Sequence, residues 1–324
     1  MPYGNDSVIG IAMQNSFGTA AAVGSIHHIP VLNEDYGLKQ EELLSRNLNG
    51  RFDEGDSYSG KRQYGGQLEA EAQPKMLGVL LTAGINDATA ATSGSLRTYT
   101  FTPRTGDWDR YAPNRPFSYY KYLADGGSAQ LFYDMIGSRF ELQLQEGGFL
   151  TARLAAVGGK TSAVASQSLT ADSGRRWPWN QSSLSLGGTA NGEVSEFSLV
   201  HDEGINPRWF LNGSLYAGMA KREQSRTVRV SGTMLFSTYA EFNNFVNETS
   251  QVLVLTIQDT TTAVQSGYYN QLQISIPSFK WTDMPIPVRG PTALELSFSG
   301  RGVYNTGSGH TVRYTLQNTY AAGY

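Results

Sequence analysis

The sequence predicts a mainly β protein made of two tandem β-sandwich or barrel-like domains, each with one short flanking α-helix. Three observations lead to this prediction: apolar and polar residues alternate in many segments, glycine is abundant (36 of 324 residues), and few segments have a helical pattern. Alternation matches the two faces of a strand, and glycine suits the tight turns between strands.

Strands are predicted wherever the alternation is regular. Residues 140–145 and 150–157 flank Glu146-Gly147-Gly148, which is the pattern of a β-hairpin. Further strands are predicted at residues 67–73, 251–258, 271–276 and 294–299.

Two short helices are predicted. Residues 74–83 place Met76, Leu77, Leu80 and Leu81 on one stripe, with Pro74 in the first turn and Gly84 as the stop. Thr238 and Glu241 fit a capping box that opens the second helix.

The two halves repeat the same order of patterns. Gly66 and Gly232 each lie in an alternating segment that leads into a predicted helix, and a long polar hairpin precedes both. We therefore predict a first domain at 1–160, a linker at 161–182 that is rich in Ser and Ala, and a second domain at 183–324.

Composition excludes several function classes. The chain has no cysteine, which rules out disulfides and thiolate metal sites, and 25 basic residues against 28 acidic ones do not favour tight duplex binding. No signal peptide or membrane-spanning stretch is visible, so we expect synthesis as a soluble protein in the cytoplasm of its cell.

No catalytic motif is found, and we expect no enzymatic activity, no cofactor and no metal. We interpret His27-His28 and the segment 201–203 as surface loops. Gly158-Gly159-Lys160-Thr161 resembles the end of a phosphate-binding loop, but position 154 is leucine rather than the required glycine, so we interpret it as a turn that ends a strand. Residues 175–179, with two arginines and two tryptophans, suit either an interface or a linker packed on its own domain.

Two long polar loops, at 47–65 and 212–225, occupy equivalent places in the two halves. Loops of this length are usually functional or disordered, and we expect both to project as hairpins that contact a neighbouring molecule. The candidate contact residues are Arg51, Phe52, Asp53, Glu54, Asp56, Tyr58, Leu215, Tyr216 and Met219.

Several of these segments resemble the tail tube proteins of long-tailed bacteriophages. They are residues 9–20, His28-Ile29-Pro30, the block that begins at Gly66-Gln67-Leu68-Glu69, the helix with Leu80-Leu81, and the hairpin 140–160. The resemblance is strongest over 8–160 and looser over 185–305. It implies rings around a hollow lumen, stacked on long loops into a virion tube that carries the genome. It also implies contacts with a tape-measure protein inside and with terminator and tip proteins at the ends.

Two tandem domains predict a ring of three chains. If an ancestral ring closed with six identical domains, joining two domains in one chain keeps the rotation from domain to domain, so the ring still closes with six domains but has half as many chains. DNA must slide through the lumen without sticking, so we expect a neutral to acidic inner face. The candidate lumen-facing residues are Gln67, Glu69, Glu71, Glu141, Gln143, Gln145, Gln273 and Glu295.

An alternative function belongs to another class. A β-sandwich with 18 Tyr and 5 Trp would also suit a carbohydrate-binding or carbohydrate-active protein, whose aromatic rings stack on sugars.

Overall fold

A computed structural model describes residues 7–45, 56–123, 127–170, 172, 174–285, 294–321 and 323–324, and its mainly β architecture confirms the predicted fold class. The first half contains β1 (Val8–Met13), β2 (His27–His28), β3 (Asn33–Glu34), β4 (Gly37–Leu44), β5 (Ser57–Glu71), α1 (Pro74–Gly84), β6 (Thr89–Ser93), β7 (Leu96–Phe101), β8 (Phe117–Tyr122), β9 (Ala129–Gln145) and β10 (Thr151–Val164). The second half contains β11 (Ser182–Leu186), β12 (Thr189–Asn191), β13 (Val194–Asp202), β14 (Ile205–Arg208), β15 (Met219–Arg222), β16 (Thr227–Leu235), α2 (Ala240–Val246), β17 (Gln251–Gln265), β18 (Tyr268–Asp283), β19 (Glu295–Gly302) and β20 (Arg313–Asn318).

Eight strands lie side by side in one antiparallel sheet, in the order β4-β5-β10-β9-β13-β16-β19-β18. The first four and the last four strands repeat one arrangement, because in each set the second strand leads directly into a helix, β5 into α1 and β16 into α2. The two sets join where β9 pairs with β13, with Leu142 opposite Leu199 and Leu144 opposite Phe197. The boundaries of the two domains stay a prediction, but the halves share a continuous sheet.

A second layer of strands encloses the core. The first part of β9 pairs with β8, and β8 pairs in turn with β1. The first part of β18 pairs with β17 and β20, and β20 pairs with β7 from the first half. Apolar side chains from both halves form one buried cluster between the layers, including Phe101, Leu142, Leu199, Leu255 and Ile274.

The helices α1 and α2 have different environments. Every residue of α1 except Lys75 is buried, and the helix contacts β9 and β10 as well as β18, β20 and β7. α2 has no buried residue, and its N-cap is Tyr239 rather than the predicted Thr238, whose hydroxyl accepts a long hydrogen bond of 3.4 Å from the backbone of Ala240. Neither α-helix in the described ranges has the length and apolar character needed to span a membrane.

The predicted linker region contacts both halves, because Arg175 lies 3.9 Å from Asp259 of β17 in the second half, whereas Asp172 and Trp177 contact the first half. Asp172 accepts a hydrogen bond from the backbone N–H of Lys75 (3.1 Å), so it caps the N-terminus of α1, where backbone N–H groups lack helical partners. Trp177 is fully buried, and its carbonyl accepts a hydrogen bond from Leu150. The two alternatives for residues 175–179 are an interface and a linker packed on its own domain. The buried Trp177 fits the packed linker, whereas Trp179 is 42% exposed.

The interpretation of Gly158-Gly159 as a turn that ends a strand is wrong, because both glycines lie inside β10. They face Asp134 of β9, a non-glycine residue with a φ of 60°. A Cβ on Gly158 would lie 2.9 Å from the Asp134 carbonyl oxygen, so the close approach of the two backbones requires glycine here. Gln14 holds the distortion in place by donating to the Asp134 carboxylate (3.0 Å) and accepting from its backbone N–H (2.7 Å).

We predict that Gly78→Ala destabilises the protein. The Tyr324 ring lies directly on Gly78 of α1, and an added Cβ would overlap it. Overpacking of this kind costs about 1–3 kcal/mol and alanine gains roughly 1 kcal/mol over glycine in a helix, so the net loss should be up to about 2 kcal/mol. Urea denaturation measures the change. With Tyr324→Ala as the background, Gly78→Ala should be neutral or stabilising, and a stabilised Gly78→Ala single variant would contradict the packing.

Candidate assembly interface

One face of the eight-stranded sheet is polar. Residues on neighbouring strands lie opposite one another in rows across this face, and one row contains Glu69, Arg153, Glu141, Val200 and Arg229. The apolar residues that alternate with them point into the core. This polar face therefore crosses from the first half of the chain into the second without a break.

The structure brings together seven of the eight lumen-facing candidates on this polar face. They are Gln67, Glu69, Glu71, Glu141, Gln143, Gln145 and Glu295. The eighth, Gln273, lies on β18 between Thr256 of β17 and Thr315 of β20, apart from the rows that join the other seven. That the polar face lines a lumen stays a prediction.

Arginines neutralise the glutamates of the polar face. Arg153 donates to Glu69 at 2.9 Å and lies 4.0 Å from Glu141, which also pairs with Arg139. Glu71 pairs with Arg176. The hydrogen bond that Arg153 donates to Glu69, together with the negative charges of Glu69 and Glu141, raises the pKa of Arg153. Positive and negative groups therefore alternate in the first half of the polar face, whereas Arg229, Arg301 and Lys280 lie opposite one another on β16, β19 and β18 in the second half.

Residues 57–65 of the first predicted contact loop are not a loop but the first part of β5, which pairs with β4 in a two-stranded arm. Of the candidates in this loop, Asp56 and Tyr58 are exposed, Tyr58 at 62%, while Arg51, Phe52, Asp53 and Glu54 lie outside the described residues. All of β4 except Gly37 is exposed, and within the described residues β4 pairs only with β5. The outer edge of β4 is therefore open to another strand.

The second predicted contact loop forms a separate ribbon, residues 205–222, in which β14 pairs with β15. Its three candidates have different positions: Leu215 is 40% exposed, Tyr216 stacks on Tyr64 with ring centroids 6.1 Å apart, and Met219 pairs with Arg208 inside the ribbon. The ribbon therefore leans on the first arm instead of projecting alone.

Sequence reasoning missed the contacts that fix the ribbon to the arm. The backbone N–H of Arg62 donates to the Leu215 carbonyl (2.8 Å), and the Trp209 indole donates to the Arg62 carbonyl (3.2 Å). The ammonium group of Lys61 lies 5.5 Å from the Trp209 ring centroid. These partners are about 150 positions apart in the chain, so no local pattern signals them.

The interpretation of residues 201–203 as a surface loop is wrong, because His201 and Glu203 are completely buried. Adjacent residues of a strand point to opposite faces, whereas residues two positions apart share a face. The spacing of His201 and Glu203 in the sequence was therefore enough to predict that their side chains lie on one face. His201 bridges the Tyr314 hydroxyl (3.1 Å) and the Glu203 carboxylate (2.9 Å).

Two arginines complete an ionic cluster around Glu203. Arg222 of β15 donates to its carboxylate at 2.6 Å, and Arg226 donates twice at 2.9 Å. Burial acts to raise the pKa of Glu203, but the hydrogen bond and charge of His201 and the charge of Arg226 outweigh it and lower the pKa to about 2. Because solvent does not reach the carboxylate or the imidazole, the cluster fixes the base of the ribbon and is not a catalytic site.

We predict that the cluster makes the protein sensitive to acid. A carboxylate whose pKa falls from 4.5 to about 2 on folding stabilises the protein above pH 4.5, and this stabilisation is lost as the pH falls toward 2. Glu203→Gln leaves the partly buried Arg222 and Arg226 without a carboxylate partner and should cost about 1–3 kcal/mol at neutral pH.

Unfolding free energies measured between pH 7 and pH 2 test this. The wild type should lose stability over the acidic range more steeply than Glu203→Gln does. The control is Glu223→Gln on the exposed ion pair with Arg208, which should change stability by less than about 1 kcal/mol. Parallel pH profiles of the wild type and Glu203→Gln would contradict the assignment.

Comparison with known proteins gives the class of this chain. A family model described as phage tail tube protein matches residues 4–302, which is nearly the whole sequence. No curated protein matches it. The chain belongs to the phage tail tube protein family, and membership of that family implies a structural component of the virion that self-assembles into a tube.

Proposed function

We propose that this chain polymerises into stacked rings that form the hollow tail tube of a phage, and that the genome is delivered through this tube. The observation that carries the proposal is the β9–β13 junction, where two sets of four strands in the same order join edge to edge. Negative-stain microscopy tests it: rings and tubes that appear with rising concentration support the proposal, and a chain that stays monomeric contradicts it.

We infer that each ring contains three chains. β9 ends the first set of four strands and β13 begins the second, so the equivalent free ends are β18 and the outer edge of β3, which pairs with Glu69 of β5 as Val200 of β13 pairs with Arg229 of β16. If β18 of one chain pairs with β3 of the next as β9 pairs with β13, the same rotation is repeated six times around the ring. Among the described strands β3 pairs only with β5, and an unpaired strand edge readily pairs with another strand.

The polar face is the proposed lumen wall. DNA binds through its phosphates to clustered lysine and arginine, and it is released poorly from such surfaces. In the first half of this face the arginines are paired with glutamates, as Arg153 is with Glu69, so little positive charge is available to phosphates there. In the second half Arg229, Arg301 and Lys280 lie side by side, so the proposal of transient passage without specific binding rests on the charge balance of the first half.

The remaining partners follow from the family. We propose a tape-measure protein inside the tube, terminator and tip proteins at its ends, assembly in the host cytoplasm, and no enzymatic activity, since a conduit needs no catalysis.

The aromatic content that favours the carbohydrate alternative is partly used in the core, where Trp177, Tyr99, Tyr119, Tyr120 and Tyr314 are fully buried.

Cysteine cross-linking tests the ring closure. The chain contains no cysteine, so the double variant Asn33→Cys and Lys280→Cys, with one thiol on β3 and one on β18, has no background. These two residues would lie opposite each other, because Asn33 and Lys280 hold the places in the row that Val200 and Glu141 hold at the β9–β13 junction. Mild oxidation should give covalent species up to the trimer and no larger, because a closed ring of three has no free thiols. Each single-cysteine variant is the control. Species that continue to the hexamer, or tubes in which this pair never cross-links, would contradict three-chain closure.

A charge change tests the lumen. Gln143 lies in the polar row with Thr151 and Ser198, so Gln143→Lys adds a positive charge to that face. Phage carrying this variant should assemble normally but eject DNA more slowly, most of all at low salt, where screening is weak. Gln273→Lys adds the same charge elsewhere and should eject normally. Normal ejection by Gln143→Lys at low salt would refute the assignment.

A further inference from the structure

The helices α1 and α2 occupy equivalent places in the two halves but differ in what covers them. Each follows the second strand of its set of four and packs on the last strand of that set, α1 on β9 and α2 on β18. α1 is also covered by β18 and β20, which belong to the second half. Among the described residues, α2 has no comparable cover from a second set of strands, and none of its residues is buried.

A row of aromatic residues runs along α2 and the turn before it. The ring centroids of Phe236 and Tyr239 are 5.0 Å apart, those of Tyr239 and Phe242 6.2 Å, and those of Phe242 and Phe245 6.3 Å. The three phenylalanines are partly buried against the core, whereas Tyr239 is 62% exposed. Val246, at the end of the helix, is 60% exposed. Exposed apolar side chains in one contiguous patch are typical of a contact surface.

The cover of α1 shows what kind of surface fits this position. Asn318, the last residue of β20, donates a hydrogen bond of 3.2 Å to the carbonyl of Pro74, the first residue of α1. Tyr314 and Leu316 of β20 are fully buried in the same core cluster as the helix. The second half therefore completes the burial of α1 across the β9–β13 junction.

The first half contains counterparts of these covering strands. The end of β10 pairs with the first part of β9, as β20 pairs with the first part of β18. Thr161 of β10 lies opposite the core residue Phe132, and Ala163 shares its side of the strand. Thr161 and Ala163 are exposed, whereas Tyr314 and Leu316 on the matching side of β20 are buried. The end of β10 therefore presents an exposed face where β20 presents a buried one.

We infer that α2 of one chain packs against the end of β10 and the first part of β9 of the next chain in the same ring, as α1 packs against β20 and β18 inside the chain. This rests on the proposed function, because the two junctions are equivalent only if the ring closes through β18 and β3. The contact joins two different surfaces, so it repeats at each of the three chain boundaries. It removes the exposed aromatic row of α2 from water.

A second cysteine pair tests the partner surface. Ala240, the first residue of α2, should lie beside the end of β10 in the next chain, as Pro74 lies beside the end of β20. In rings, the double variant Ala240→Cys and Ala163→Cys should therefore cross-link up to the covalent trimer. The control is Ala240→Cys with Ala91→Cys, because Ala91 is also exposed but lies on β6, and this pair should not cross-link.

A substitution that suits the helix tests the apolar contact. Tyr239 is the N-cap of α2, and aspartate is a favourable N-cap residue, so Tyr239→Asp should keep the helix folded while it adds a charge to the aromatic row. It should raise the concentration needed for rings by about tenfold or more, because an unpaired charge is buried at the contact. Tyr239→Phe should assemble like the wild type. Rings that form from Tyr239→Asp at the wild-type concentration would contradict the contact.

Hydrogen–deuterium exchange separates this contact from ring closure. In the free chain the amides of α2 should exchange faster than those of α1, and in rings they should become protected while α1 changes little. Suppose that rings form and the Asn33→Cys and Lys280→Cys pair cross-links. Unprotected α2 amides in those rings, or no cross-link between Ala240→Cys and Ala163→Cys, would then overturn the inference and leave the ring intact. A wild-type chain that forms no rings would overturn both proposals.

Discussion

Hydrogen bonding between strand edges is the constraint on which the rest of this structure depends. A strand edge that lacks a partner leaves backbone N–H and C=O groups open, and such an edge pairs with whatever strand reaches it. Inside the chain, β9 and β13 satisfy this demand for each other and join the halves into one sheet. The same demand remains at β4, which is exposed because no described strand covers its outer edge.

Buried elements give the sheet a fixed shape for assembly. α1 lies between strands of both layers and is capped by Asp172 from beyond β10, so the layers cannot slide without exposing it. Glu203 and its two arginines hold the ribbon where the chain leaves β13. As a result, the two equivalent hairpins of the repeat have different roles: the β4–β5 arm offers a free edge, and the ribbon supports the base of that arm.

The sequence was sufficient for features set by local patterns. Alternation predicted the β9–β10 hairpin, and Pro74 and Gly84 predicted the ends of α1 to within one residue. It failed where distant segments decide the structure. Gly158 depends on Asp134, and Glu203 depends on Arg226. Alternation separates the two faces of a strand but does not show which layer the strand joins. Gln273 could therefore not be distinguished by sequence from the other lumen-facing candidates.

The central claim is that the pairing seen once inside the chain is repeated between chains. A cryo-electron microscopy cross-section of the assembled tube tests it most directly, because it counts chains and shows which edges meet. The account predicts three chains in each ring, with β18 of one chain beside β3 of the next and the polar face toward the lumen. Six chains in each ring, or a polar face on the outer wall, would contradict it.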